Sequence, residues 1–208
     1  MHCDPVTGAG FIVILSEMKE SALRKLNVGC GRDVRSGWVN LDAVALPGVD
    51  VVHDLATLPL PFQDSEFDVI GCQDVLEHLD YVPVLRELYR ILKTGGELQV
   101  RVPHFTSRNN FVDPTHRRQF SVDTWEFFGT TGGGHMAHLH PVRAYYFDFC
   151  FASIVERKIT FETGSALLAL NGLVEKWVNR TPRRQALYES SVLSRLFPAE
   201  NIEIRLRK

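Results

Sequence analysis

The feature that most constrains this chain is a succession of short apolar runs, each ending on a residue that carries chemistry. Residues 25–28 run into Gly29-Cys30-Gly31, 39–41 into Asp42, and 49–52 into His53-Asp54. Residues 67–72 read as a buried fourth strand and 98–102 as a fifth, closed by Pro103. Between these last two, residues 81–93 repeat Leu85, Leu88, Tyr89 and Leu92 at helical spacing, with Pro83 in the first turn and Gly95 beyond the end. Strand, helix and strand in that order imply parallel pairing, an open sheet covered by helices on both faces, and ligands beyond the carboxyl ends of the strands. One joint is tight, because only residues 29–38 separate the first two strands. That is near the minimum for a parallel crossover, so its helix is one turn or absent.

The last third is less regular. Asp123-Thr124-Trp125-Glu126 has capping-box spacing and predicts a short helix through Phe128, followed by a glycine-rich stretch over 129–134. Residues 153–162 alternate as a sixth strand, 166–178 and 185–196 are helical, and 202–206 alternate as a terminal strand expected at the sheet edge. The aromatics of 120–128 and 145–151 read as packing between these helices and the sheet.

Composition removes several function classes. A chain of 208 residues with 45% hydrophobic and 23% charged residues has the makings of a folded core, not of a disordered one. Its formal net charge of -2 gives no field toward phosphate backbones, and Arg183-Arg184 and the terminal Arg205-x-Arg207-Lys208 are too short for a nucleic-acid stripe. The four cysteines are scattered with no Cys-x-x-Cys pair, which points to a reduced, cytoplasmic setting. The apolar run 11–15 is too short for a signal or a membrane span.

The chemistry starts at Gly29-Cys30-Gly31, where glycines let the backbone turn sharply and approach a ligand. Asp42 at the end of the second strand suits the vicinal hydroxyls of a ribose. Asp54 at the end of the third can accept from an exocyclic amine, with Leu55 packing on the base. A nicotinamide site would place a third glycine where Val34 stands, and no phosphate-cradling lysine of the P-loop type is present. Two alternatives stay open on these residues: an NAD(P)-dependent oxidoreductase, and a binding module that keeps the cofactor without turnover.

In combination these segments resemble the class I S-adenosylmethionine-dependent methyltransferases. The resemblance runs through 26–31, Val39-Asn40-Leu41-Asp42, His53-Asp54-Leu55, 60–62 with 67–70, Asp74-Val75-Leu76-Glu77-His78-Leu79 and 92–96. It implies a Rossmann-like, seven-stranded, mostly parallel sheet with an antiparallel terminal strand and S-adenosylmethionine over the first strands. It further implies that the Gly29-Cys30-Gly31 turn approaches the methionine part, Asp42 holds the ribose, Asp54 and Leu55 hold the adenine, and Gln73 lines the cofactor. Asn27 stands where the family usually has an acid.

A sulfonium methyl is already activated, so catalysis reduces to in-line positioning of the acceptor and a base where the acceptor is a hydroxyl. Glu77 and His78 after the fourth strand, His104 after the fifth, and His116 are the candidate bases. Asp113 and Arg117, in the run 113–121, are candidates to hold the acceptor, and that run resembles a segment of bacterial methyltransferases of surface glycans or small metabolites. Asp74-x-x-Glu77-His78 is also similar to the Glu-x-x-Glu-His pattern by which some O-methyltransferases of ubiquinone synthesis and of small RNAs hold a divalent cation. Its first acid is a shorter Asp, and no metal is assigned here. His135-x-x-His138-x-His140 reads as a lid or a solvated loop. The expectation is one domain over 1–208: an extension over 1–23, a cofactor half over 24–104, and acceptor-shaping insertions and edge strands over 105–208. The expected reaction is methyl transfer to a hydroxyl, less readily an amine, of a small molecule or glycan. Homo-oligomer formation stays open.

Overall fold

The computed structural model describes residues 23–129, 146–164 and 170–208. The apolar run 11–15, the three histidines of 135–140 and residues 166–169 of the first predicted late helix lie outside these residues. The strands are β1 (Lys25–Val28), β2 (Val39–Asp42), β3 (Val51–Val52), β4 (Phe67–Gln73), β5 (Leu92–Pro103), β6 (Ser153–Thr160) and β7 (Asn201–Arg207). They form one seven-stranded sheet in the order β3-β2-β1-β4-β5-β7-β6. The first five run parallel, while β7 is antiparallel to both β5 and β6. The described helices are α1 (Tyr81–Ile91), α2 (Asn109–Val112), α3 (Asn171–Val178), α4 (Pro182–Ser190) and α5 (Leu193–Leu196).

The terminal strand is not at the edge as its sequence suggested. It is inserted between β5 and β6, so that Ile202, Ile204 and Leu206 are buried and both backbone edges are paired. The predicted Asp123 cap also moves. Ser121 caps a 3₁₀ turn over Val122–Phe127, accepting from the Asp123 amide while the Thr124 hydroxyl accepts from the Ser121 amide. The helix expected over 185–196 divides into α4 and α5, because the Ser191 amide closes on the Tyr188 carbonyl and the chain extends there.

Among the described residues, one face of the sheet carries the apolar core. Leu26, Val28, Leu41, Ile70, Leu98, Val100, Ile202 and Ile204 are buried on it. α1 joins this core through Val84, Leu85, Leu88 and Ile91. The chain from β1 to β4 contains no helix. On the second face the register aligns Gln99 with Arg205 and Arg101 with Glu203. Ion pairs cross it from Arg207 to Glu97 at 2.5 Å and from Arg205 to Glu156 at 2.6 Å. Antiparallel strands tolerate such a half-polar sheet, and the strict alternation of β5 and β7 is its signature.

The short first crossover is tied down by asparagines in place of a helix. Buried Asn40 accepts from the Arg35 amide and donates to the Arg35 and Trp38 carbonyls. Asn27 donates to the Asp33 carbonyl and to Asn40 Oδ1. Both side-chain amides are therefore engaged in holding this loop. The loop folds its Arg35 and Trp38 side chains over Gly71, where a Cβ would meet Arg35 Nη1 at 2.8 Å.

Candidate active site

Parallel pairing brings the carboxyl ends of β1 to β5 to one edge, and two groups of side chains form there. The first is the glycine turn. Gly29 has φ +62°, a left-handed conformation that disfavours a side chain, and it faces Val75 so closely that a Cβ would stand 2.4 Å from Val75 Cγ2. Gly31, at φ +49°, faces open space, with nothing within 4 Å of the place a Cβ would take. Its amide donates to Asp42 Oδ2 at 2.7 Å, and the Val44 amide donates to Oδ1 at 2.9 Å. The carboxylate is thus aimed at the turn, with further lone pairs free for hydroxyl donors. Cys30 is buried behind the turn and its amide donates to the Leu41 carbonyl.

The third strand tip is stitched to the second, since the His53 amide donates to the Asp42 carbonyl. Asp54 is exposed and accepts from the Ala56 amide, while Leu55 is buried. The residues present fit an adenosyl group: an open cradle at Gly31, a fixed carboxylate beside it, and a buried apolar side chain on the next tip. Gln73 does not join them. It lines a cleft on the polar second face with Gln99, Arg101 and Glu203, as its register opposite Arg101 requires.

The second group surrounds a cavity of about 520 Å³ at the ends of β4 and β5, lined by Asp74, Glu77, His78, Arg101, Asp113 and His116 among others. It is built by a bend after β4. Asp74 takes φ +55°, which an aspartate tolerates better than most residues, and its carboxylate pairs with Arg101. A 3₁₀ turn over Leu76–His78 then drives Glu77 inward to 0% exposure. The amides of Arg117 and Arg118 both donate to the Glu77 carbonyl, which pins the 113–118 segment across the turn and sets His116 over Glu77.

Within this group Glu77 is a buried carboxyl whose two oxygens have no hydrogen-bond partner. Burial pushes its pKa up to about 7. His116 Nε2 lies 3.9 Å from Glu77 Oε1 and 3.9 Å from Asp113 Oδ2. The His78 and His116 rings meet edge to face at 4.6 Å. The Thr115 hydroxyl donates to Asp113 Oδ1 at 2.6 Å, so toward His78 Nδ1 at 2.8 Å it acts as acceptor. His78 therefore carries its proton on Nδ1 and presents a lone pair at Nε2.

Of the four candidate bases, three converge and one does not. His104 is fully buried, with Nδ1 accepting from the Thr106 amide and Nε2 donating to Glu189 Oε1 at 3.0 Å. Both nitrogens are committed, so the expectation that it reaches the reacting centre is corrected: it joins β5 to α4. Glu189 also accepts from Ser121 Oγ and the Val122 amide. Glu189→Ala would leave all three donors without their acceptor, two of them on buried residues, and urea unfolding is expected to show a loss of about 2–5 kcal/mol with nucleoside affinity unchanged. Arg117 is exposed and contributes to the site through its amide, while Asp113 lines the cavity. The cavity wall contributed by Glu200 and Asn201 was missed in sequence, because only the placement of β7 beside β5 brings the residues before and at its start to Pro103.

Residues 30–100 match the family described as "Methyltransferase domain". An uncharacterized protein of Methanocaldococcus jannaschii is 51% identical over 75 residues, 32% of this chain and 33% of that protein. A demethylmenaquinone methyltransferase of Listeria welshimeri is 44% identical over 54 residues, 26% of this chain and 22% of that enzyme. The chain thus spans a third or less of the curated relatives it matches. Among solved structures, a SAM-dependent methyltransferase from Archaeoglobus fulgidus superposes with TM-score 0.57 at 19% identity, covering 90% of this chain and 87% of that one. A putative methyltransferase from Bacillus halodurans gives 0.55 at 17% identity, covering 89% and 92%. The fold is that of the class I methyltransferases. No helix among the described residues is long and apolar enough to cross a membrane.

Proposed function

We propose that this chain, which carries a methyltransferase domain on a class I fold, transfers the methyl group of S-adenosylmethionine to a hydroxyl of a small molecule or glycan. The observation that carries the reading is the Gly31 amide on the Asp42 carboxylate, at a strand edge that also bears the Glu77–His78–His116 cavity. S-adenosylmethionine supplies a methyl group on a sulfonium, which leaves without acid assistance. The chain supplies the rest. Asp42 accepts from the ribose hydroxyls, Gly31 lets the backbone approach, and Leu55 with Asp54 recognises the adenine. The cavity orients the acceptor, and lone pairs at His78 Nε2 and Glu77 are available to an acceptor hydroxyl proton. An amine acceptor would reach the same cavity but needs these groups less.

Calorimetry with S-adenosylmethionine, S-adenosylhomocysteine and NAD tests the cofactor half. Binding of S-adenosylhomocysteine without NAD is expected, and the reverse preference would reject methyl transfer. Asp42→Ala should weaken S-adenosylhomocysteine by about 1–3 kcal/mol, the size of lost charge-assisted hydrogen bonds, and unchanged affinity would remove the ribose assignment. Transfer of a radiolabelled methyl group into a metabolite extract, followed by identification of the labelled product, tests the acceptor class.

A further inference from the structure

We propose that Glu77, His78 and His116 form a binding site for a first-row divalent transition-metal ion. One ligand atom from each lies within 4.8 Å of the others, the range that side chains around a single ion span after small adjustments. The juxtaposition is tertiary: Glu77 and His78 come from the turn after β4, and His116 from the segment that the Arg117 and Arg118 amides fasten across it.

Three independent observations point to an ion. Glu77 is at 0% exposure with both oxygens unpartnered, and His116 Nδ1 is likewise buried without a partner. Buried polar groups without a partner call for an explanation, and a bound ion is one that satisfies both residues at once. Second, the Thr115 hydroxyl fixes the His78 tautomer with its lone pair on Nε2, the outer-sphere arrangement by which metal-binding imidazoles are oriented. Third, the cavity wall carries four carboxylates, Asp74, Glu77, Asp113 and Glu200, against the single guanidinium of Arg101, which is itself held by Asp74. Asp113 Oδ2, 3.9 Å from His116 Nε2, is within reach as a fourth ligand.

The ligand set also sorts the ions. Two imidazoles with one or two carboxylates suit Zn²⁺, Mn²⁺ or Fe²⁺ better than Mg²⁺ or Ca²⁺, which favour all-oxygen shells. Asp74 is not a ligand, because its carboxylate is engaged by Arg101. This inference deepens the proposed function and rests on it for its use: with the ion bound, His78 Nε2 and Glu77 serve as ligands in place of bases, and an acceptor hydroxyl entering the cavity would meet the ion, which orients its oxygen and lowers its pKa so that water takes the proton.

The test is direct binding to the chelator-treated chain. Titration with Zn²⁺ and Mn²⁺ by calorimetry, and Co²⁺ followed by its visible absorption, should show one ion per chain. His116→Ala should abolish the site. Thr115→Val, at an exposed position outside the ligand set, should weaken the ion by about 10–100-fold by releasing the His78 tautomer, with the thermal midpoint of the ion-free protein unchanged. No stoichiometric binding in the wild-type chain would overturn the proposal, and so would equal affinity in wild type and both variants. S-adenosylhomocysteine binding, measured on the same ion-free sample, separates the two readings. Its persistence while no ion binds rejects the ion alone, and its absence while an ion binds rejects methyl transfer alone.

Discussion

Gly29→Ala is expected to abolish nucleoside binding and to lower stability by about 2–5 kcal/mol. Two terms add. The left-handed φ of +62° costs a β-carbon about 1–2 kcal/mol. The new methyl group would stand 2.4 Å from Val75 Cγ2, and clearing it means moving a β-branched side chain packed against the core, at about 1–3 kcal/mol. The same displacement disturbs the bend that carries Asp74 and Glu77, so both halves of the site respond to one substitution. Gly31→Ala is the control: it shares the backbone strain at φ +49° but meets nothing within 4 Å. Urea unfolding should therefore separate the two, with Gly29→Ala the more damaging, and equal losses would show that Val75 yields freely.

Glu77→Gln should stabilise the ion-free chain at alkaline pH by roughly 3 kcal/mol, the second large effect. Burial raises the folded pKa to about 7 from an ordinary 4.5. Between these values the unfolded chain has released its proton while the folded chain still holds it, so stability falls as pH rises from about 4.5 to 7. Below that window the burial has no ionic cost, and above it the full cost is present. The glutamine has no proton to lose and removes this slope. Unfolding curves at pH 4.5 and pH 8 measure it: a gap between wild type and variant that opens only at the higher pH is the expected pattern. Parallel curves would place Glu77 in contact with solvent or a fixed charge. A saturating divalent ion should offset the destabilisation in the wild type and leave the variant less affected, because the buried carboxylate would then be paired.

The two substitutions probe parts of the site that differed in how far they could be read from sequence. The glycine turn, Asp42 and Asp54 were legible because each ends a strand, and parallel strands deliver their ends to one edge whatever the rest of the chain does. Asn27 was visible as a departure from the family pattern, but its use was not, since its partners Asp33 and Asn40 depend on the path of a helix-free loop. The candidate bases were less legible still. His104 and His116 are equally plausible in sequence, both following β5. The first was drawn into a buried tie by Glu189, 85 residues later, and the second was held over Glu77 by two backbone amides. Gln73, placed beside the cofactor by the family resemblance, points to the polar face because β4 pairs in the register that sets it opposite Arg101.

What the chain determined locally is whatever depends on neighbours within a few residues: the strand runs, the α1 periodicity, the left-handed glycines and the acids closing β2 and β3. What only the tertiary structure decided is whatever depends on contacts between distant segments: the insertion of β7 between β5 and β6, the sorting of His104 from His116, and the burial of an unpaired Glu77 beside two imidazoles. The reason is that backbone conformation and periodicity are local properties, whereas burial and hydrogen-bond partnership are properties of the packed chain.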